Sequence, residues 1–211
     1  MTETPIMQDQ ENGQDQDFAQ VTVQTPFSGD ALAAFLQDAE RLLRINSQME
    51  YEHWRQTGDG EHEFKALNLS IDKPIETTLR SQITDDGLVI RYGSGLKTST
   101  TFRISATPEG PAELIVIDDY SGTSADQRRA RMDEVDKSLV QWGRDIHRYL
   151  HLWKKWSWVP GWKWYMLRVW HGMKPSARRI SSMIMMIGLA EFIMFAMVFV
   201  VFWLELDNFL N

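Results

Sequence analysis

Residues 21–46 read VTVQTPFSGDALAAFLQDAERLLRIN, and two periodicities meet inside them. Val21 and Val23 alternate with Thr22 and Gln24, the period-two pattern of a half-buried strand that begins near Phe18 and Ala19. Pro26 closes it, because proline has no N–H to give to a ladder. Ser28 and Asp30 then offer side chains able to cap a helix. Leu32, Phe35, Leu36, Ala39, Leu42 and Leu43 follow on one helical face, and the segment ends near Ile45 and Asn46. A strand that passes through proline into a helix is the opening of the folded region.

Downstream the period returns to two. Met49 to Gln56 and Glu61 to Ser70 read as strands joined by the hairpin-type loop Thr57-Gly58-Asp59-Gly60. Ile75 to Ile83 is a third, after Pro74. Asp85-Asp86-Gly87 turns into Leu88 to Tyr92, and Gly93-Ser94-Gly95 interrupts as a bulge or tight turn. From Lys97 to Thr107, Thr100, Phe102, Ile104 and Ala106 share one face. Pro108-Glu109-Gly110-Pro111 leads into the last strand, Ala112 to Tyr120. Six consecutive strands on short loops make an antiparallel meander, curved by the right-handed twist.

One long helix follows the break at Ser121-Gly122-Thr123-Ser124. Met132, Val135, Leu139, Trp142, Ile146, Tyr149 and Trp153 form an apolar stripe at alternating spacings of three and four. The stripe must cover something, and either the sheet's apolar face or a partner helix would serve. The sheet is the more economical choice, because a sheet with one apolar face needs a cover. The order strand, helix, six strands, long helix, and the phrase at 21–46 in particular, resembles the helix-grip fold of the SRPBCC superfamily. That superfamily includes START lipid-transfer domains, Bet v 1-like proteins and the polyketide cyclase/dehydrase group. The resemblance covers residues 18–152 and implies an α+β domain, a curved antiparallel sheet gripping a long C-terminal helix. It also implies a cavity for a hydrophobic ligand, such as a lipid, an isoprenoid or a polyketide-like molecule. Its walls would come from Phe102, Ile104, Leu114, Val116, Leu139, Trp142 and Ile146.

Outside that core, two segments have their own chemistry. Residues 180–204 read ISSMIMMIGLAEFIMFAMVFVVFWL, apolar on all sides and longer than the roughly 20 residues a bilayer core requires. They are expected to form a transmembrane helix, with 205–211 as a short translocated tail. Before it, residues 153–179 contain seven Lys or Arg and no Asp or Glu. Six tryptophans stand among them: Trp153, Trp156, Trp158, Trp162, Trp164 and Trp170, beside Lys154, Lys155, Lys163 and Arg168. Indoles gather at the headgroup level and basic residues stay on the cytoplasmic side. The segment is therefore expected to be an interfacial neck of two short elements, a collar holding a pocket mouth to the bilayer. The folded domain would face the cytoplasm, with a bacterial inner membrane as the expected setting. Glu191, near the middle of the span, costs about 2.5–3.5 kcal/mol on insertion scales. With Gly188 beside it, Glu191 is expected to meet a membrane-protein partner.

Charge and composition exclude several classes. Residues 1–125 carry −12 and residues 153–179 carry +7. An acidic body on a basic neck does not suit nucleic acid, whose phosphates require a basic surface. The chain has no cysteine, so disulfides, thiolate metal sites and cysteine nucleophiles are excluded. His147 and His151 sit four apart, but Arg148 stands where a zinc-helix motif needs Glu, so no metal or cofactor is expected. His53 and His62 stand among Glu50, Glu52, Glu61 and Glu63, which points to cross-strand polar pairs rather than to acid–base catalysis. Residues 1–17, rich in Gln, Asp and Glu, are expected to form a disordered leader. The functional expectation is a membrane-tethered binding module for a hydrophobic ligand at the cytoplasmic face. An assembly or regulatory subunit docked through its helix and neck is the alternative, and a cyclase/dehydrase-type enzyme is the third reading.

Overall fold

A computed structural model describes residues 18–105, 110–124, 126, 130 and 138–210, with side chains to residue 205. The leader, Ala106, Met132 and Val135 lie outside the described residues. Two compact units divide the chain, one ending at His171 and one beginning at Gly172.

The first unit contains a seven-stranded antiparallel sheet in the order β1-β7-β6-β5-β4-β3-β2. The strands are β1 Phe18–Gln24, β2 Met49–Gly58, β3 Glu61–Asn68, β4 Lys73–Thr84, β5 Gly87–Tyr92, β6 Ser99–Ser105 and β7 Glu113–Asp119. Helix α1 spans Gly29–Leu36, α2 Ala39–Ile45 and α3 Leu139–Lys155. This is the helix-grip α+β class that the element order implied. The meander forms as read, and the first strand returns to pair with the last, with Val21 opposite Val116 and Val23 opposite Leu114. Non-local pairing of that kind leaves no trace in local periodicity.

The inner face follows the period-two reading. Phe64, Leu79, Leu88, Ile90, Phe102, Leu114 and Val116 are buried beneath α3, whose Leu139, Trp142, Ile146 and Tyr149 are buried in turn. Burying each such side chain stabilises the fold by about 1.5–3 kcal/mol. Gly143 lets α3 lie close to β1, since a Cβ there would sit 3.0 Å from Val21 Cγ2 and 3.1 Å from Cγ1.

The structure departs from the sequence reading in three local places. The helical segment 28–46 is two helices, not one. Asp38 breaks it, because its Oδ1 accepts the Arg41 N–H at 2.9 Å and so caps α2. The hairpin loop shrinks to Asp59 and Gly60, since Gly58 pairs with Glu61; Gly60 has φ +66°, a turn conformation that glycine adopts without steric cost. Pro74 lies inside β4, opposite Leu67, rather than ahead of it.

Residues after α3 do not leave the domain at 152. The chain turns through Pro160 and Gly161, makes the short helix α4 at Trp162–Trp164 and then a π-helical turn at Tyr165–Trp170. Met166 is buried in the core, and Trp153, Trp162, Tyr165 and Trp170 pack partly against it. Tyr149 holds the return. Its ring centroid lies 5.3 Å from that of Trp170, and its hydroxyl is 3.0 Å from His171 Nε2. The first compact unit therefore includes most of the segment expected as a separate neck.

The second unit is helix α5, Pro175–Leu210, 36 residues. Pro175–Glu205 is long and apolar enough to cross a membrane. Its apolar side chains, Ile184, Phe192 and Phe202 among them, are exposed rather than buried in a core.

Candidate functional site

The curved sheet leaves a cavity of about 250 Å³ at one end of its inner face. The loop between β5 and β6 borders it with the small residues Ser94 and Gly95, and nothing lies within 4 Å of a Cβ placed at Gly95. Tyr51, Phe64, Ile75, Tyr92, Leu96, Tyr120 and Trp142 line the cavity. Asn46, Asn68, Thr77 and Lys97 are polar points in this wall. A mostly aromatic and aliphatic lining with a few placed polar groups is the usual make-up of a small-molecule site.

Trp142 joins the cavity to the core. It is 1% exposed, its ring meets Phe102 edge-on at 5.2 Å, and its indole N–H donates to the Leu42 carbonyl at 3.0 Å. Asn46 Nδ2 donates to Ser138 Oγ at 2.9 Å, and the Ser47 N–H donates to Asp145 Oδ2 at 2.8 Å. The end of α2 is thereby pinned to the start of α3 beside the cavity.

A buried polar network borders the cavity, and the sequence reading did not anticipate it. Asp118 is fully buried, opposite Thr100 in the β6–β7 register. Thr100 Oγ1 donates to Asp118 Oδ1 at 2.5 Å, and Lys97 Nζ donates to Oδ2 at 3.1 Å. The Tyr92 hydroxyl lies 3.2 Å from Thr100 Oγ1. With the Thr100 proton given to Asp118, Tyr92 is the donor to Thr100. Lys97 also lies over two aromatic faces, 5.4 Å from the Tyr92 centroid and 5.8 Å from that of Trp142. A buried carboxylate needs this much pairing to remain charged. The signal was present in β7: Asp118 continues the inward phase of Leu114 and Val116, so an acid falls where the pattern calls for an apolar residue.

Of the seven expected wall residues, Trp142 lines the cavity. Phe102, Leu114, Val116, Leu139 and Ile146 are buried in the packed core, and Ile104 is half-buried and packs against it. The four expected strand residues, Phe102, Ile104, Leu114 and Val116, lie within β6 and β7, whereas the open space lies at the other end of the sheet's strands, by the β5–β6 loop. Of the residues missed by sequence reasoning, Tyr51 and Ile75 stand near strand starts and Leu96 in a loop, where periodicity is weakest, while Phe64 lies within β3 and reads as core.

The other candidates sort as follows. His151 is exposed and His147 half-buried, with ring centroids 4.0 Å apart. His147 Nδ1 is 2.9 Å from the Gln24 carbonyl, and His151 Nδ1 is 2.9 Å from that of His147. No group of three or more metal-ligating side chains gathers among the described residues. On the β2–β4 surface the acids pair with cations: Glu63 with Arg55 at 2.8 Å, Glu52 with Lys65 at 3.2 Å and Glu61 with Arg80 at 2.5 Å. His62 packs against Trp54 at 5.1 Å, and desolvation lowers its pKa against the opposing pull of Glu40.

The six tryptophans from Trp153 to Trp170 divide into two sets. Trp153, Trp162 and Trp170 turn toward the core. Trp156, Trp158 and Trp164 are exposed, at 39%, 77% and 64%. They stand at the C-terminal end of α3, while Trp142 and the cavity stand at its N-terminal end. Fourteen residues separate Trp142 from Trp156, about 21 Å along a helix. The expected collar is therefore at the opposite end of α3 from this cavity. Glu191 and Gly188 lie on α5, where Glu191 is exposed and nothing lies within 4 Å of a Cβ placed at Gly188.

No family model matches the chain, and no curated protein matches it. Solved structures do resemble it. The Zhui aromatase/cyclase from a Streptomyces species aligns with a TM-score of 0.49 at 13% identity, covering 68% of this chain and 97% of that one. A protein from Mycobacterium smegmatis aligns at 0.48 and 10% identity, covering 65% and 93%. A protein from Arthrobacter aurescens aligns at 0.47 and 12% identity, covering 64% and 87%.

Proposed function

We propose that the chain is a membrane-tethered binding module for a small, largely apolar molecule at the cytoplasmic face of a membrane. The cavity between the sheet, α2 and α3 carries this reading. At about 250 Å³ it falls just below the roughly 300–1,000 Å³ of common ligand pockets. One ring system or a short chain fits it better than a whole bilayer lipid. Lys97 in the wall is paired with the neighbouring Asp118, and Lys73 and Glu76, of opposite charge, both line the cavity. An uncharged molecule with a hydroxyl or carbonyl suits such a site better than an ion, whose charge would be unbalanced in a low dielectric. The tether is α5, and the seven basic residues before its apolar span, 180–204, against the acids after that span support a cytoplasmic domain.

Native mass spectrometry with organic extraction, on the full chain released from detergent, tests the reading. A stoichiometric apolar adduct, lost when Ile75→Trp fills the cavity, is the expected result. A clean unliganded mass, unchanged by Ile75→Trp, would overturn it.

Glu191 favours a second reading, an assembly or regulatory subunit docked on a membrane protein. An acidic side chain on an apolar, exposed helix face carries an insertion cost that a partner would offset. Gly188 one turn away would permit close approach. In that case Glu191→Leu strips co-purifying proteins from the detergent-solubilised chain. Unchanged co-purification and oligomeric state would remove this reading.

A further inference from the structure

We infer that the exposed indoles beyond α3 form a second membrane contact, one that stands the folded domain end-on upon an anionic lipid surface with its cavity pole toward water. The inference rests on the membrane reading of α5 and is independent of what the cavity holds.

Three observations support it. First, the segment is built into the domain and is not a loose connector. Met166 is buried, Tyr149 packs against Trp153, Trp170 and His171, and Trp162 packs between Trp156 and Tyr165. Half of the tryptophans are spent on this inward packing. The remaining three, with Leu167 at 44% exposure, project from a folded base, so their direction is fixed relative to the sheet. Second, the charge of this surface selects its occupant. Lys155, Lys163 and Arg168 are exposed among the indoles, and residues 153–179 contain no acid to pair with them. Lys154 is not counted, because its Nζ donates to the Pro26 carbonyl at 2.5 Å. Exposed indoles interleaved with unopposed cations match the headgroup layer of an anionic bilayer. Helix α5 begins at Pro175, four residues after this unit ends at His171, so the surface is also continuous in sequence with the span.

Third, the cavity lies at the other end. Its wall comes from the start of β2 and β4, the end of β3, the β5–β6 loop and Tyr120 after β7, all at one end of the sheet. α3 runs away from that end along β1, touching Val21 at Gly143, the Gln24 carbonyl at His147 and the Pro26 carbonyl at Lys154. Interfacial side chains enter the headgroup region by about 5–10 Å, far less than the roughly 21 Å between Trp142 and Trp156. The cavity then exchanges its ligand with the aqueous phase rather than with the bilayer. This agrees with a cavity too small for a membrane lipid.

The absence of cysteine makes the test direct. Ser157→Cys labels the indole pole and Ser121→Cys the cavity pole; both positions are exposed. Each full-length variant, carrying a bimane dye, is reconstituted into vesicles of phosphatidylglycerol and phosphatidylcholine containing a spin-labelled lipid. The expected result is several-fold stronger quenching at Ser157 than at Ser121, with iodide in the buffer quenching Ser121 more. Replacing Trp158 and Trp164 by Ala, or omitting phosphatidylglycerol, should abolish the difference. Equal lipid quenching at both poles, or none at either, would overturn the inference. Flotation of the chain with the vesicles reports the tether separately. Failure to float removes the membrane reading as well, whereas flotation without the difference removes only this inference.

Discussion

Trp142 and Trp158 are the same side chain at the two ends of α3, in opposite environments. Trp142 is 1% exposed, with its N–H satisfied by Leu42 and its ring against Phe102. Trp158 is 77% exposed on a turn held by inward-facing neighbours. An indole is a large apolar body with one donor, and that donor usually finds an acceptor when the ring is buried. Where no acceptor is provided, the same amphipathic ring suits an interface. The helix-grip domain thus has a packed, polar-pinned pole bordering a cavity and an aromatic, basic pole without acids.

Stability should separate the two poles sharply. Trp142→Ala is expected to cost about 3–5 kcal/mol, the range for emptying a buried aromatic site. Trp158→Ala should stay within about 0.5 kcal/mol, as exposed substitutions do. Urea unfolding of the full chain in detergent, followed by the remaining tryptophan fluorescence, measures both, and equal shifts would break the comparison.

Asp118→Ala should cost about 3 kcal/mol, because it removes the buried carboxylate that both Lys97 and Thr100 bond. The same unfolding curves, with Thr100→Val as the milder control, test whether the cavity pole depends on that network. Gly143→Ala is expected to cost about 1–2 kcal/mol through overpacking against Val21, less the gain of Ala over Gly in a helix. A neutral or stabilising result would show that α3 and β1 can separate slightly without loss.

His62 gives the smallest expected effect. Its folded pKa is lowered from 6.5, chiefly by desolvation, with Glu40 opposing. The unfolded chain therefore binds the proton first as pH falls. Stability should be unaffected above about pH 6.5 and decline below it, until the folded-state pKa is passed. The slope should be shallower in His62→Gln, as pH-dependent unfolding midpoints would show.

Much of the fold was legible in the chain. Alternation located the strands because one face of the sheet is buried, and the stripe from Leu139 to Trp153 named the face of α3 that covers them. Asp38 was harder to read. Its capping bond competes locally with helix propagation, and Leu42 and Leu43 continue the apolar phase across the break. The cavity was less legible still. Phe102 and Val116 have the pattern of a pocket wall and of a filled core alike, since both require apolar side chains at alternate positions.

The sequence alone determined the apolar span, the sign change across it, the succession of strands and helices along the chain and the missing thiol chemistry, because composition and period are local properties. Tertiary structure alone decided that β1 joins β7, that Asp118 meets Lys97 and that three of six tryptophans turn inward. It also decided that the open volume lies about 21 Å from the exposed indoles along α3. These depend on which distant segments share a surface, and a local pattern does not encode its partner.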